Sequence, residues 1–213
     1  AAVETCVTQL KKLSVNVKKV HRLCKTLGLQ VSTRKKTPRP RAKTMRSVAK
    51  VSNERWAIDA TSFDCGVDGL GHLIAVIDCC DRQIVGWHLA TRGRAKEAVA
   101  AIEDACLGRF GTLFDGEEKR PMLRSDNGLI FHSRDFRRSC REFGLGQEFI
   151  TPYTPKQNGM IERFFRSLKE ECIWQQLFTD FKEAKELIAR WIEFYNVERP
   201  HQALKYRSPN DVA

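Results

Sequence analysis

Between residues 56 and 90 the apolar positions form three short runs separated by polar turns; beyond residue 95 they shift to helical spacing. Trp56–Phe63 predicts a strand, His72–Cys79 a continuously apolar central one, and Gln83–Ala90 a third. Gly66–Gly71 and Asp81-Arg82 supply the turns, so these strands are expected to pair as an antiparallel meander. In Ala95–Phe110, Ala98, Ile102, Ala105 and Cys106 share one helical face. Met122–Ser125 reads as a fourth strand, Ser133–Phe143 as a helix ended by Gly144, and Gln147–Ile150 as a fifth strand. Helices over Asn158–Trp174 and about Phe181–Asn196 complete the pattern.

This order predicts an α/β chain with a five-stranded mixed sheet flanked by helices, the ribonuclease-H-like plan. Upstream, Val17, Val20, Leu23, Cys24 and Leu27 mark one amphipathic helix, with Gly28 as its cap. A single helix is too little for a domain, so it reads as the end of a larger helical unit. The chain opens at Ala1 without Met, which predicts an N-terminally incomplete protein. Arg34–Arg46 holds seven basic residues and two prolines, an extended linker with no means of forming a core. The division expected is a basic helical arm over 1–50 and a core over 51–213.

Charge sharpens that division. Residues 1–50 carry fourteen Lys/Arg and one acid, +13, while the remainder carries twenty-three against twenty-five, −2, giving the net +11. Such an arm gains affinity for phosphate backbones by releasing counterions, and Arg34, Lys35, Lys36, Arg39 and Arg41 are its candidate DNA contacts. No apolar run reaches membrane-spanning length and no signal peptide is visible, which predicts a cytoplasmic protein. The eight cysteines include no Cys-x-x-Cys pair and read as reduced thiols, Cys79, Cys106, Cys140 and Cys172 on apolar faces.

Three acids stand apart. Asp59 interrupts the apolar run Trp56–Ala60, Asp126 ends a strand at an Asn-Gly turn, and Glu162 lies in a helix. Mg²⁺ takes oxygen ligands and only one or two protein carboxylates per ion, so three such acids suit a two-ion site for phosphoryl transfer. Asp59 is the natural shared ligand, with Asp126 on the neighbouring parallel strand and Glu162 on a helix across the strand ends. Asp64, Asp68, Asp78 and Asp81 read instead as turn and solvent residues. On the Glu162 helix, Ile161, Phe164, Phe165, Leu168 and Cys172 make the core face, and Glu162, Arg166 and Lys169 a second stripe suited to a DNA end. Lys156 and Asn158, in the approach to that helix, are further candidate DNA contacts. His88, His132 and His201 read as surface or core histidines, and Trp174 and Trp191 as packing residues of the terminal helices, with stacking on a flipped base as the alternative.

Asp59-Ala60-Thr61, Ser125-Asp126-Asn127-Gly128, the string from Tyr153 to Phe165, and the string from Tyr195 to Leu204 resemble the DDE integrase core of IS3-type insertion-sequence transposases, related to retroviral integrases. The resemblance covers about residues 50–213. It implies that Asp59, Asp126 and Glu162 are the catalytic, metal-binding triad and that Lys169 contacts DNA. It implies cleavage and strand transfer dependent on Mg²⁺, with Mn²⁺ able to substitute and two ions per site when DNA is bound. Transposon ends and target DNA are the implied partners, held by a homo-oligomer in the bacterial nucleoid, with no small-molecule cofactor. The leading segment resembles the tail of a helix-turn-helix region. Lys205 stands where the family usually has Gly, and Leu129–His132 where it carries small polar residues. The alternative readings are an inactive or truncated remnant that only binds DNA, and a nuclease on the same fold.

Overall fold

The structure is a computed structural model and describes residues 16–29, 49–114, 116, 119–151 and 157–213. Helix α1 spans Val17–Thr26, and Asn16 caps it by accepting the Lys18 N–H at 2.9 Å. None of its residues is buried among the described residues. Gly28 follows the last turn in the left-handed conformation.

The core begins with β1 (Arg55–Asp64), β2 (Leu70–Asp78) and β3 (Ile84–Ala90). Then come α2 (Ala95–Phe110), β4 (Met122–Ser125), α3 (Leu129–His132), α4 (Arg134–Glu142) and β5 (Gly146–Phe149). The helices α5 (Gly159–Glu171) and α6 (Phe181–Val197) close the chain, with short 3-10 turns around them. The sheet order is β3-β2-β1-β4-β5. β1, β2 and β3 pair antiparallel, and β4 joins β1, and β5 joins β4, in parallel, so the expected mixed sheet and meander are present. β1 lies at its centre.

Side chains alternate across β1 and divide the interior in two. Trp56 and Ile58 join Ile74, Val76, Ile102, Leu123 and Phe136 under α2 and α4. Ala57 and Phe63 join Leu73, Ala75, Ile161, Phe164, Leu168 and Ile188 under α5 and α6. By that alternation Asp59 belongs to the α5 face. The apolar helical faces read from the sequence are the ones buried, and Cys79, Cys106, Cys140 and Cys172 are free, buried thiols.

Several expectations require correction. Leu129–His132, to which the sequence pattern assigns no element, forms the short helix α3, with Phe131 buried against Phe136. The helix beginning at Asn158 stops at Glu171 and continues only as a 3-10 turn over Ile173–Gln175. Asp78 and Asp81 are fully buried rather than solvated. Asp78 accepts the Asn53 N–H at 2.7 Å and the indole N–H of Trp56 at 3.2 Å; Asp81 accepts from Ser52 at 2.8 Å and pairs with Arg109. Burial raises the Asp78 pKa, with repulsion from Asp81 second. These turn acids thus lock the β2–β3 hairpin to the chain before β1 and to the end of α2.

Lys205 and Tyr206 both take the left-handed conformation, φ 56° and 64°, before a bridge between His201 and Arg207. A Cβ is disfavoured in this region, which gives a physical reason for the glycine that the resemblance leads one to expect at position 205.

Candidate active site

Asp59 sits in the middle of the central strand, opposite the small, buried Ala75 of β2. The parallel register pairs Ala57 with Arg124, which sets Asp126 two residues past Arg124 as Asp59 is two past Ala57. Adjacent strands lie about 4.8 Å apart, so the register brings the two acids side by side on one face. Asp59 Oδ1 accepts the Ala60 N–H at 2.8 Å, and Asp126 Oδ1 accepts the Gly128 N–H at 2.9 Å, each leaving a second oxygen for other partners. Glu162 lies in the first turn of α5, the helix covering this face of β1.

Electrostatics places the third acid with the other two. Asp59 is pushed from an ordinary 3.8 up to about 6, chiefly by desolvation. The Ala60 N–H opposes that rise; the charges of Asp126 and Glu162 add to it, and Lys169 draws it back. Glu162, although exposed, is also raised by partial desolvation. Three carboxylates and one lysine from three separate elements therefore share one field. Among the described residues no three His, Cys, Asp or Glu side chains enclose a metal-sized space. The donors are nonetheless the hard oxygen set that a hydrated divalent cation uses, one or two carboxylates to an ion.

The second stripe on α5 is divided. Arg166 is committed to Glu170 at 2.8 Å, not to Glu162, and both side chains are exposed. The charge of Lys169 acts on Asp59, lowering its pKa. Asn158 is 2% exposed, and its Oδ1 has no hydrogen-bond partner among the described residues. Lys156, Arg34, Lys35, Lys36, Arg39 and Arg41 lie outside the described residues. Two of these histidines find aromatic neighbours. His132 stacks on Phe149 with ring centroids 4.1 Å apart, and His201 is buried edge-on to Tyr195 and depressed to about 4, chiefly by desolvation. Trp191 packs against Phe164 and Tyr195 as expected, whereas Trp174 is 67% exposed, contrary to its reading as a packing residue.

One positioning residue escaped the sequence reading. Arg124, buried beside Asp126 in the chain, reaches both oxygens of Glu148 at 3.1 Å and donates to the Gln157 carbonyl at 3.1 Å. Arg55 shares Glu148 at 2.9 Å. Arg124 thus ties the end of β4, which carries Asp126, to the residues that lead into α5 and Glu162. Its only sequence signal is an arginine at an inward position of a short strand. Arg124→Met is expected to lower unfolding free energy by roughly 2–3 kcal/mol, because the charged hydrogen bonds go and Gln157 loses its donor. Urea unfolding measures this, and an unchanged midpoint refutes the role.

Models of the integrase core domain match residues 49–155 and 144–209. A putative InsD transposase of insertion element IS2E from Escherichia coli K12 is 30% identical over 201 residues, covering 93% of this chain and 91% of that protein. The InsD transposase of the IS2A/D/F/H/I/K elements of Escherichia coli is likewise 30% identical, but this chain spans 66% of its length. In structure, the catalytic core domain of HTLV-2 integrase, solved in complex with magnesium, matches with a TM-score of 0.52 at 16% identity. That match covers 75% of this chain and 95% of that one, and it establishes the ribonuclease-H-like fold. Proteins built on this core are generally polynucleotidyl transferases that use divalent metal ions. Sheet order, domain match and identity along nearly the whole chain agree: the chain belongs to the IS3-type family of insertion-sequence transposases built on the integrase core domain.

Proposed function

We propose that this chain carries the catalytic core of a DNA transposase and performs metal-dependent strand cleavage and strand transfer for an insertion sequence. The observation that carries the reading is the shared field of Asp59, Asp126, Glu162 and Lys169, drawn from β1, the end of β4 and α5. In it Asp59 is the rigid central ligand, because the central strand, paired with β2 at Asp59 and with β4 up to Ala57, holds it. Asp126 and Glu162 flank it as the outer ligands, and Lys169 holds a phosphate of the DNA end. Divalent ions at these carboxylates, Mg²⁺ or Mn²⁺ and two when DNA is bound, supply Lewis acidity for the attacking and leaving oxygens of an in-line displacement. The near-neutral core does the chemistry while residues 1–50, at +13, hold the DNA backbone in a salt-dependent way. Transposases and integrases act on DNA and oligomerise, and we extend both to this chain, working on bacterial chromosomal DNA. Among the described residues no helix is long and apolar enough to cross a membrane.

The test is nicking and strand transfer on DNA carrying the element's ends, with and without Mg²⁺. Asp126→Asn and Glu162→Gln are each expected to lower the rate roughly 10³-fold or more, several kcal/mol of lost stabilisation at about 1.4 kcal/mol per decade. Either variant at wild-type activity overturns the assignment. Salt-sensitive binding by the wild type without cleavage on any DNA substrate would favour the binding-only reading instead.

A further inference from the structure

Beyond the carboxylates, the α5 face of the sheet opens into a groove of about 420 Å³. Phe63 and Phe178, ring centroids 5.9 Å apart, lie at its base, and Lys169, Trp174 and Leu177 form its margin. Two elements lead from the acids to it. From Asp59 to Phe63 is four strand residues, about 13 Å, and from Glu162 to Lys169 is seven helical residues, about 10 Å. Lys169 belongs to both places, acting on Asp59 at one end and lining the groove at the other.

Beside Lys169 the groove margin is apolar, exposed and held in place. Trp174 is 67% exposed and Leu177 97% exposed. They stand on a fixed segment: the Gln175 side chain donates to the Glu170 carbonyl at 2.9 Å, and the Gln176 N–H donates to the Ile173 carbonyl at 3.3 Å. The Thr179 carbonyl accepts the Val67 N–H at 3.1 Å and Asp68 accepts the Phe181 N–H at 2.9 Å, fastening the segment to the β1–β2 turn. Asp64, the one acid at the rim among the described residues, accepts the Gly66 N–H at 3.1 Å. An indole on a fixed turn, with an ammonium between it and a phosphoryl-transfer site, is the pairing that holds an unpaired nucleotide. The ring stacks on the base while the cation meets the backbone.

We propose that this groove is a base-stacking subsite: Trp174 stacks an unpaired nucleobase about three to four nucleotides from the scissile phosphate, at about 3.4 Å per stacked step. The inference rests on the transposase reading above, since it takes the DNA to be placed by the carboxylates and Lys169. Trp174 is then a positioning residue that selects frayed or single-stranded ends over blunt ones without touching the reacting atoms.

The test uses the full chain and a fluorescently labelled duplex of mixed sequence with a 3′ overhang of about four nucleotides, matched to the span above. The same duplex made blunt is the control. In EDTA, where no cleavage occurs, Trp174→Ala is expected to weaken binding of the overhang duplex by roughly 5- to 150-fold and leave blunt binding unchanged. Trp174→Phe should retain most of the affinity, and quenching of tryptophan emission by the overhang should vanish in both variants. Equal affinity of Trp174→Ala for the overhang overturns the proposal, as does an equal loss on both duplexes. A drop in molecular mass with DNA affinity unchanged also overturns it, showing that the groove seats a second copy of the chain. Nicking by the wild type in Mg²⁺ is read separately. Trp174-dependent overhang binding without nicking refutes the catalytic reading alone, and nicking with no effect of Trp174→Ala refutes the subsite alone.

Discussion

Asp59→Asn should abolish metal-dependent DNA cleavage and, in the same protein without metal, raise its stability. The first effect follows from removing the central ligand of three, and a loss of roughly 10³-fold or more is expected in nicking rate. The second follows from the shift of Asp59 from 3.8 to about 6. A carboxyl whose pKa is higher folded than unfolded binds more protons in the native state. Its charged form therefore opposes folding at neutral pH. The cost is absent below about pH 4, where both states are protonated, grows as pH rises through the interval, and is complete above about pH 6. The full shift corresponds to about 3 kcal/mol, which screening at a partly exposed site reduces to roughly 1–2 kcal/mol. For a chain of this size that is a few degrees in Tm at pH 7.5, disappearing at pH 4. Added Mg²⁺ should raise the Tm of the wild type and not of the variant, because an ion bound by the native state alone stabilises it. A variant that melts below the wild type at pH 7.5, or that still cleaves, would remove the case for a strained carboxylate cluster.

A second large effect is expected far from the acids. Gly86 lies in β3 where α2 crosses it, and a Cβ there would stand 2.5 Å from the Ala101 carbonyl oxygen and 2.7 Å from Ala105 Cα, closer still to the Ala105 nitrogen. All three are helix backbone, so nothing flexible can yield. The sheet is irregular at the same place, the β2–β3 register shifting between Val76 and Ile77. Gly86→Val must push α2 off the sheet and disturb the packing of Ile74, Val76 and Ile102. Overpacking in a core usually costs about 1–3 kcal/mol, and rigid backbone on the receiving side takes this above roughly 4 kcal/mol. That is a large part of the stability of a typical domain, so the variant should be recovered mainly unfolded or aggregated, and Gly86→Ala should be intermediate. Soluble Gly86→Val with a wild-type melting curve by circular dichroism would show that α2 does not approach this closely.

Much of the architecture was legible because short-range rules govern it. The runs at Trp56, His72 and Gln83 became antiparallel strands, since period-two burial and turn residues are local signals. The Ile161–Leu168 spacing became the buried face of α5 for the same reason at helical period. Even the site was partly legible: an acid inside an apolar strand is costly unless something uses it, and Asp59 carried that signal alone. The less legible features depended on partners distant in sequence. Arg55 and Glu148 meet across 93 positions, and Ile84 and Asn196 across 112. Asp78 and Asp81 read as turn residues, and nothing local told that Arg109 and Trp56 would bury them.

The sequence by itself determined the order of the elements, the faces they bury, the separation of a basic arm from a near-neutral core, and which three acids are candidates for the chemistry. Only the tertiary structure decided that Asp59, Asp126, Glu162 and Lys169 share one field, that Arg124 ties the β4 end to the approach to α5, that Asn158 is buried, and that Trp174 faces outward beside a groove. The physical reason is that hydrophobic periodicity is written into neighbouring residues. Desolvation and charge coupling instead arise between whichever side chains the folded sheet and its helices bring together.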